Sequence, residues 1–522
     1  MSIGIRPPCD HGVIAGARGA TRPQQAAYFW ILLATILASS MVFIDSTAVN
    51  LALPVLQIEL HASNAQAQWV IEAYALFLSA LILVGGSLGD RLGRKRVFIW
   101  GVAGFACASL LCAVVRTADE LVAARALQGL ASALLTPGSL SILGASFDED
   151  KRGRAIGAWS SFSALTGVVG PLIGGVIVQH ASWRWIFLIN PPLAALAIVV
   201  ALRWVPESRD AEIQHGVDWL GGVLATLGLG SVVYALIAAG TSGWTPTQII
   251  ACGAGVGLLA AFVAVEAKAK APMMPLRLFA SRTFSAVNLQ TFLLYAALGG
   301  ATFLLPFNLI LIQHYSPIAA GAALLPFIIL ISLLSPTIGG LSRKTGARIL
   351  LLVGPLVVAF GFAGLARPGI GGSYWETFFW PAVILGLGMS LVVAPLTTTV
   401  MDSVGKDHFG IASGINNAVA RTAGLLAVAT LSLVLAGAFN RALDGALARI
   451  APPPHVVAQV NAQRPKLAAA QAPQTNPPSM HDELQAAIAA SYVTGFRAAM
   501  LLAAALALAA SACALAMPKR TY

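Results

Sequence analysis

The chain has 522 residues and a formal net charge of +11, yet only 10% of its residues are charged and 57% are hydrophobic, with a mean hydropathy of +0.80. Soluble domains average about 25% charged residues, so this composition excludes a water-facing surface for most of the chain and makes a bilayer its solvent. A basic excess of this size would suggest nucleic acid in a soluble protein; in a membrane protein it reports Lys and Arg gathered in cytoplasmic loops.

Residues 1–28 are predicted as a cytoplasmic N-terminal tail carrying Arg6, Arg18 and Arg22. The apolar run that follows is long, contains Asp45 and lacks a small-residue cleavage site, so it reads as a retained span and not as a signal peptide. Stretches of roughly 20 apolar residues suffice to cross a bilayer as helices. Fourteen are predicted, at 29–53, 69–88, 97–116, 120–146, 155–179, 184–205, 217–240, 247–266, 284–313, 318–341, 347–366, 377–401, 408–437 and 492–516. Between the last two lies a connection at 438–491 rich in Ala, Pro and Gln, expected to be a partly helical or disordered periplasmic insert. Residues 517–522 form a C-terminal tail. The cysteines Cys9, Cys107, Cys112, Cys252 and Cys513 are scattered, with no metal-ligand spacing and no disulfide framework.

The cations orient the spans. With the N-terminus inside, the cytoplasmic loops hold seventeen, at 91–96, 151–154, 203–209, 268–282, 343–348 and Lys406. The short outer loops hold three, Arg116, Arg184 and Arg367. That bias predicts a multi-pass protein of the bacterial inner membrane with both termini cytoplasmic, and it removes any need for nucleic acid as a partner.

The two halves repeat each other. Gly86-Ser-Leu-Gly-Asp90-Arg91-Leu-Gly93-Arg94-Lys95 has a worn copy in Gly339-Gly-Leu-Ser-Arg343-Lys-Thr-Gly346-Ala-Arg348, and Leu135-Thr-Pro137 has one in Val393-Ala-Pro395. Such internal symmetry is a transporter trait, and binding sites lie between the repeats near the midplane. The loop after the second span resembles the signature of the major facilitator superfamily. Arg125-Ala-Leu-Gln128-Gly129 resembles the family's second motif, whose arginine is associated with proton coupling. Gly167-Val-Val-Gly170-Pro171-Leu-Ile-Gly174-Gly175 resembles the motif of its antiporters. Together with Asp45-Ser-Thr-Ala-Val-Asn50-Leu-Ala-Leu-Pro54, the stretch Trp183–Pro192 and fourteen spans, the chain is similar to the EmrB/QacA subfamily of drug:proton antiporters. The resemblance implies an all-α membrane protein with the major facilitator fold: a six-helix bundle over 29–205, two inserted linker helices over 217–266 and a second six-helix bundle over 284–516. Glu72 departs from the pattern, standing where many relatives have Thr or Ser.

Ionisable residues inside a bilayer are costly and mark functional pathways. Counting 1.5 Å per residue puts Asp45, Glu72 and Arg125 roughly 5–12 Å to the outer side of the midplane. These three are the proton-coupling candidates: Arg125 holds a carboxylate charged, and a carboxyl moved away from it into a drier place gains a proton. Asp90, Arg91, Gly93, Arg94, Gly170, Pro171 and Gly174 are gating candidates, the first four locking cytoplasmic helix ends and the last three setting close helix packing. Asn50, Gln128, Asn417 and Arg421 are candidates for the substrate cavity, with Trp159, Phe162, Tyr295, Phe303 and Phe307 as weaker aromatic ones.

The expected function is proton-driven export of small organic molecules, drugs or toxic compounds, by alternating access. Export of a self-made metabolite is the alternative within the class. A membrane enzyme lacks a Ser/His/Asp set, metal cluster or nucleotide loop, and a sensor lacks a soluble output domain. No cofactor is expected. The expected partners are protons, the organic substrate and membrane lipid, with a periplasmic adaptor and an outer-membrane channel as candidates.

Overall fold

A computed structural model describes residues 25–147, 149–209, 218–269, 272–404, 409–474 and 478–517. Both tails, with Arg6, Cys9, Arg18 and Arg22, and the loop cations Lys270 and Lys406 lie outside the described residues.

Fourteen long helices follow one another. They are α1 Gln25–Glu59, α2 Asn64–Leu92, α3 Arg94–Val114, α4 Ala118–Ser146 and α5 Glu149–His180, then α6 Arg184–Trp204, α7 Trp219–Ser242 and α8 Pro246–Lys268. After these come α9 Arg282–Ile312 and α10 Pro317–Leu341, α11 Ala347–Leu365, α12 Phe379–Asp402, α13 Phe409–Ile450 and α14 Pro478–Cys513. Among the described residues thirteen are long and apolar enough to cross a membrane. The other is α5, whose 32 residues span about 48 Å at 1.5 Å each, although its described apolar part, Val169–His180, is shorter. The end of the fold at which α1 starts is termed the terminal face, and the opposite end the distal face.

Local chemistry sets the helix ends. Ser63 with Gln66 and Thr117 with Glu120 form capping boxes that start α2 and α4. The repeat seen in the sequence reappears in the backbone: Gly93 (φ +113°) separates α2 from α3, and Gly346 (φ +82°) separates α10 from α11. A left-handed φ strains any residue with a Cβ, so both copies of the motif keep this glycine for the same turn.

Glycines also bring helices together. A Cβ on Gly129 of α4 would overlap the Tyr74 carbonyl of α2, and one on Gly85 would overlap the Ala133 carbonyl. Between α7 and α8, a Cβ on Gly255 would lie 2.8 Å from the Gly228 carbonyl. Large apolar side chains such as Trp100, Phe360 and Ile250 are exposed around the periphery, as they are where lipid replaces water. The two halves meet toward the distal face, where Gly175 of α5 sits against Pro317 and Ile318, and Gly321 of α10 against the Pro171 carbonyl.

Two spans differ from expectation. The helix α13 continues to Ile450, 42 residues in all, or about 63 Å of helix against a hydrocarbon core of about 30 Å. The helix α14 begins at Pro478, not near 492. Half of the expected 438–491 insert is therefore two helix extensions, joined through a helix Pro454–Gln463 and a 3-10 turn Arg464–Ala469. The turn packs inward: Leu467 is buried, and Gln57 Nε2 donates to the Lys466 carbonyl at 3.1 Å. Alanine-rich polar sequence continued the helices because nothing in it breaks them before Ala451-Pro452-Pro453.

Candidate functional site

The close approach of α2 and α4 at Gly129 and Tyr74 decides what lies one turn further toward the distal face. There Arg125 Nε donates to the Val70 carbonyl at 3.0 Å, and its Cζ stands 4.2 Å from the Tyr74 ring centre. Arg125 Nη1 donates to Asp45 Oδ2 of α1 at 2.5 Å and to Gln128 Oε1 at 2.6 Å. Gln128 Nε2 then donates to Asp45 Oδ1 and to Ser109 Oγ, both at 2.9 Å. Asn190 of α6 donates from Nδ2 to Ser109 Oγ at 3.2 Å and reaches Asp45 Oδ1 at 3.5 Å. Asp45, Arg125, Gln128, Ser109 and Asn190 are all fully buried.

This is one polar cluster drawn from five helices, α1, α2, α3, α4 and α6, inside an apolar surround. Taking both ions out of water costs several kcal/mol each, which only good geometry and further hydrogen bonds offset. Here the amides of Gln128 and Asn190 supply those bonds on the acid side. Gln128 is thereby committed within the cluster and does not line an open cavity.

Glu72 is not in it. Its helix position differs from that of Tyr74 by two residues, about 200° of rotation at 3.6 residues per turn, and Tyr74 is the side that faces Arg125. Glu72 points the other way, fully buried, with neither carboxylate oxygen hydrogen-bonded among the described residues. Similar depth did not mean a shared cluster.

The remaining cavity candidates are dispersed. Arg421, half-buried on α13, lies within electrostatic reach of Tyr74 across the junction of the halves. Asn417 is exposed and donates to the Ser413 carbonyl, while Asn50 Oδ1 is buried without a partner among the described residues. Phe303 and Phe307 pack against each other in the core at 5.4 Å, and Trp159 Nε1 donates to Ser39 Oγ at 3.0 Å. Tyr295 is partly buried and Phe162 is 50% exposed. Sequence reasoning passed over Tyr74, Ser109 and Asn416. Asn416 Nδ2 joins α13 to α9 through Asn288 Oδ1 at 3.1 Å and Thr291 Oγ1 at 2.8 Å. A polar residue recurring at mid-span was the signal available for each.

The gating candidates fall at two levels. At the terminal face Asp90 Oδ1 accepts from Arg94 Nε at 2.8 Å, while Arg91 is exposed. The Glu207 carboxylate accepts from Lys95 N at 3.1 Å and stands where a Cβ on Gly93 would lie, 2.6 Å from Oε1. The segment after α6 is thus tied onto the turn between α2 and α3. Toward the distal face, a Cβ on Gly170 would overlap Thr47 Oγ1 and one on Gly174 would lie 2.9 Å from Ala48 Cα, so both glycines press α5 onto α1. Pro171 lies within that stretch of α5. Asp90→Asn is expected to slow turnover roughly tenfold while leaving substrate affinity unchanged, because the residue acts on helix ends and not at the midplane. Equilibrium binding beside export rate checks this; lost affinity with turnover preserved would contradict it.

A buried acid–arginine cluster in one half, glycine contacts between the halves and a duplicated six-helix plan define a membrane transporter. The major facilitator superfamily model matches residues 35–428, and the chain belongs to that superfamily. It is 32% identical to the tetracenomycin C resistance and export protein of Streptomyces glaucescens, over 82% of this chain and 78% of that one. It is 32% identical to the multidrug resistance protein Stp of Mycobacterium tuberculosis, over 82% and 80%, and 34% identical to the methylenomycin A resistance protein of Bacillus subtilis, over 78% and 87%. In fold it is similar to an inward-facing, unoccupied bacterial homologue of the human lysosomal transporter Spinster. That likeness has a TM-score of 0.64 at 18% identity, covering 94% of this chain and 98% of that one.

Proposed function

We propose that this protein exports small organic molecules in exchange for protons, as a multidrug or antibiotic-resistance exporter of the bacterial inner membrane. The observation that carries the proposal is the buried Asp45–Arg125–Gln128 cluster, together with relatives named for resistance and export. In the arrangement described, Asp45 is held by Arg125 and sealed from both faces. A proton can join Asp45 only when that pair loosens, which couples protonation to movement of α1 against α4. Tyr74, stacked on Arg125 and within electrostatic reach of Arg421, would relay substrate arrival on the α13 side to the ion pair.

The two six-helix units, 29–205 and 284–516, rock about this region, with 217–266 inserted between them. The terminal face is the cytoplasmic one: it carries Arg91, Arg94, Lys95, Arg96, Arg203 and Arg277, in keeping with the bias of cytoplasmic loops. Halves joined at the distal face then correspond to a protein closed to the periplasm. A periplasmic adaptor, and an outer-membrane channel beyond it, would meet the protein on the ordered connection between α13 and α14.

The test is expression in an efflux-deficient host challenged with a panel of antibiotics. Resistance and lowered drug accumulation are expected for some of them, and both are expected to vanish with a proton uncoupler. Accumulation unaffected by the uncoupler would sink proton exchange; no change for any compound would remove the drug-export reading.

A further inference from the structure

A second polar region lies toward the distal face, on the seam where α2, the inserted helix α7 and α13 meet. A cavity of about 280 Å³ opens there, with Asn64 and Gln68 on one wall, Ile237 and Thr241 on the second and Ser432 on the third. Its volume is that of about nine waters at 30 Å³ each. Gln68 and Ser432 are only 3% and 2% exposed, and Gln68 Oε1 and Ser432 Oγ have no hydrogen-bond partner among the described residues. The α13–α14 connection bounds the distal side: Arg464 lines the cavity and bonds to Asp444 at 2.5 Å, Asn461 at 2.7 Å and Asn440 at 3.4 Å.

Glu72 lies one turn below Gln68, about 6 Å further along α2. Asn64, Gln68 and Glu72 follow at i, i+4 and i+8, neighbours along one side of the helix. The next turn carries Leu76, packed with Leu229 and Val233 of α7 and Leu425 and Ala429 of α13 in a dry apolar cluster. Glu72 does not itself line the cavity; it lies on this side of α2 between Gln68, which does, and the apolar floor at Leu76, with both oxygens unpartnered among the described residues. An ionised carboxylate without a partner is expensive to bury, and contact with water or a bound proton relieves that cost.

We propose that this cavity is an outer proton vestibule: its water carries protons between the periplasm and the Glu72 carboxyl, making Glu72 a second proton-binding site separate from Asp45. Hydronium delivers its proton to a carboxylate oxygen and leaves as water, so no other reactant is needed. The inserted helix α7 thereby acquires a role as the third wall of the vestibule. The other charged or titratable groups on the three helices are Tyr74, Asp90 and Arg91 on α2, Tyr234 on α7, and Arg421, Arg441, Asp444 and Arg449 on α13; Asp45 and Arg125 stand on the Tyr74 side. None of these forms a hydrogen bond or ion pair with Glu72 among the described residues.

The inference rests on proton exchange as the driving reaction, but access to the vestibule is measurable without transport. In a background with Cys9, Cys107, Cys112, Cys252 and Cys513 replaced by Ser, the variants Gln68→Cys, Glu72→Cys and Leu76→Cys are treated in right-side-out vesicles with a membrane-impermeant, cationic methanethiosulfonate. Modification from the outside is expected at 68 and 72 and not at 76. Reaction at 68 without reaction at 72, or reaction at 72 from the cytoplasmic side alone, overturns the proposal. Should those variants fail to assemble, Ser432→Phe in the native chain narrows the cavity from the far wall. It is expected to move the external pH for half-maximal, uncoupler-sensitive export to lower pH, and Glu72→Gln to flatten that dependence. Native pH profiles for both variants overturn the vestibule. Uncoupler-insensitive export by the native protein would instead sink proton exchange and leave the labelling result standing.

Discussion

Asp45→Asn is expected to reduce uncoupler-sensitive export to background while the protein still reaches the membrane. The substitution removes the one carboxylate that Arg125 holds at 2.5 Å, and with it the only proton acceptor in the cluster. Its structural side effect follows directly: Arg125 is left buried and charged without a counter-ion, facing Val70 O, Gln128 Oε1, the Tyr74 and Phe187 rings and a neutral amide at 45. Breaking a buried pair from one side costs about 3–5 kcal/mol, so loss of export alone would not distinguish chemistry from misfolding. The double variant Asp45→Asn/Arg125→Gln does, because it removes the orphaned charge as well. If the pair is a static brace, the double variant recovers export together with protein level. If it is the coupling device, protein level recovers and export does not. Drug efflux from preloaded cells, normalised to inserted protein, reads the difference, and full recovery of coupled export would end the role assigned to Asp45.

Much of this was legible in the sequence for a physical reason: the bilayer permits few solutions. Apolar length fixed the helices, and a charge far inside a span is costly enough to stand out, so depth pointed to Asp45 and Arg125 and the motif resemblance around each pointed to them again. The turn at Gly93 and its copy at Gly346 were visible because a left-handed φ demands glycine. What stayed hidden depended on rotation about a helix axis, not on depth along it. Glu72 and Tyr74 lie within one turn yet face opposite sides, and a hydropathy run cannot separate them. Ser109 and Asn190 gave no charge to notice, although they complete the shell around Asp45 and Gln128. The ends of α13 and α14 were missed because helix continues beyond the membrane wherever no breaker stops it, and length beyond the apolar core leaves no hydropathy signal. Glu207 was missed because its partner is the backbone of a turn brought near only by the fold of α6.

Gly175→Val is expected to trap the exporter with its distal end parted. Three glycines of α5 sound alike in sequence but act at different junctions. Gly170 and Gly174 press α5 onto α1 within one half, so enlarging them strains the fold itself and should lower the amount of protein in the membrane. Gly175 instead touches the other half: a Cβ there would lie 2.7 Å from the Pro317 carbonyl and 3.0 Å from Ile318 Cα. Gly321 makes the reciprocal contact: a Cβ there would lie 2.5 Å from the Pro171 carbonyl. A clash between rigid halves is relieved by separating them, not by unfolding either. Overpacking of this kind costs about 1–3 kcal/mol, which shifts a two-state equilibrium roughly 5- to 150-fold. Export should fall by a comparable factor, since the cycle can no longer close at that end, while the level of inserted protein stays native. The reporter is already present: Ile318 N donates to Gln179 Oε1 at 3.4 Å across the same junction. A Gln179→Cys/Ile318→Cys pair should cross-link readily in the native background and poorly beside Gly175→Val, with Gly175→Ala between them. Equal cross-linking in all three backgrounds would show that the junction tolerates the added bulk, and that this glycine does not govern closure.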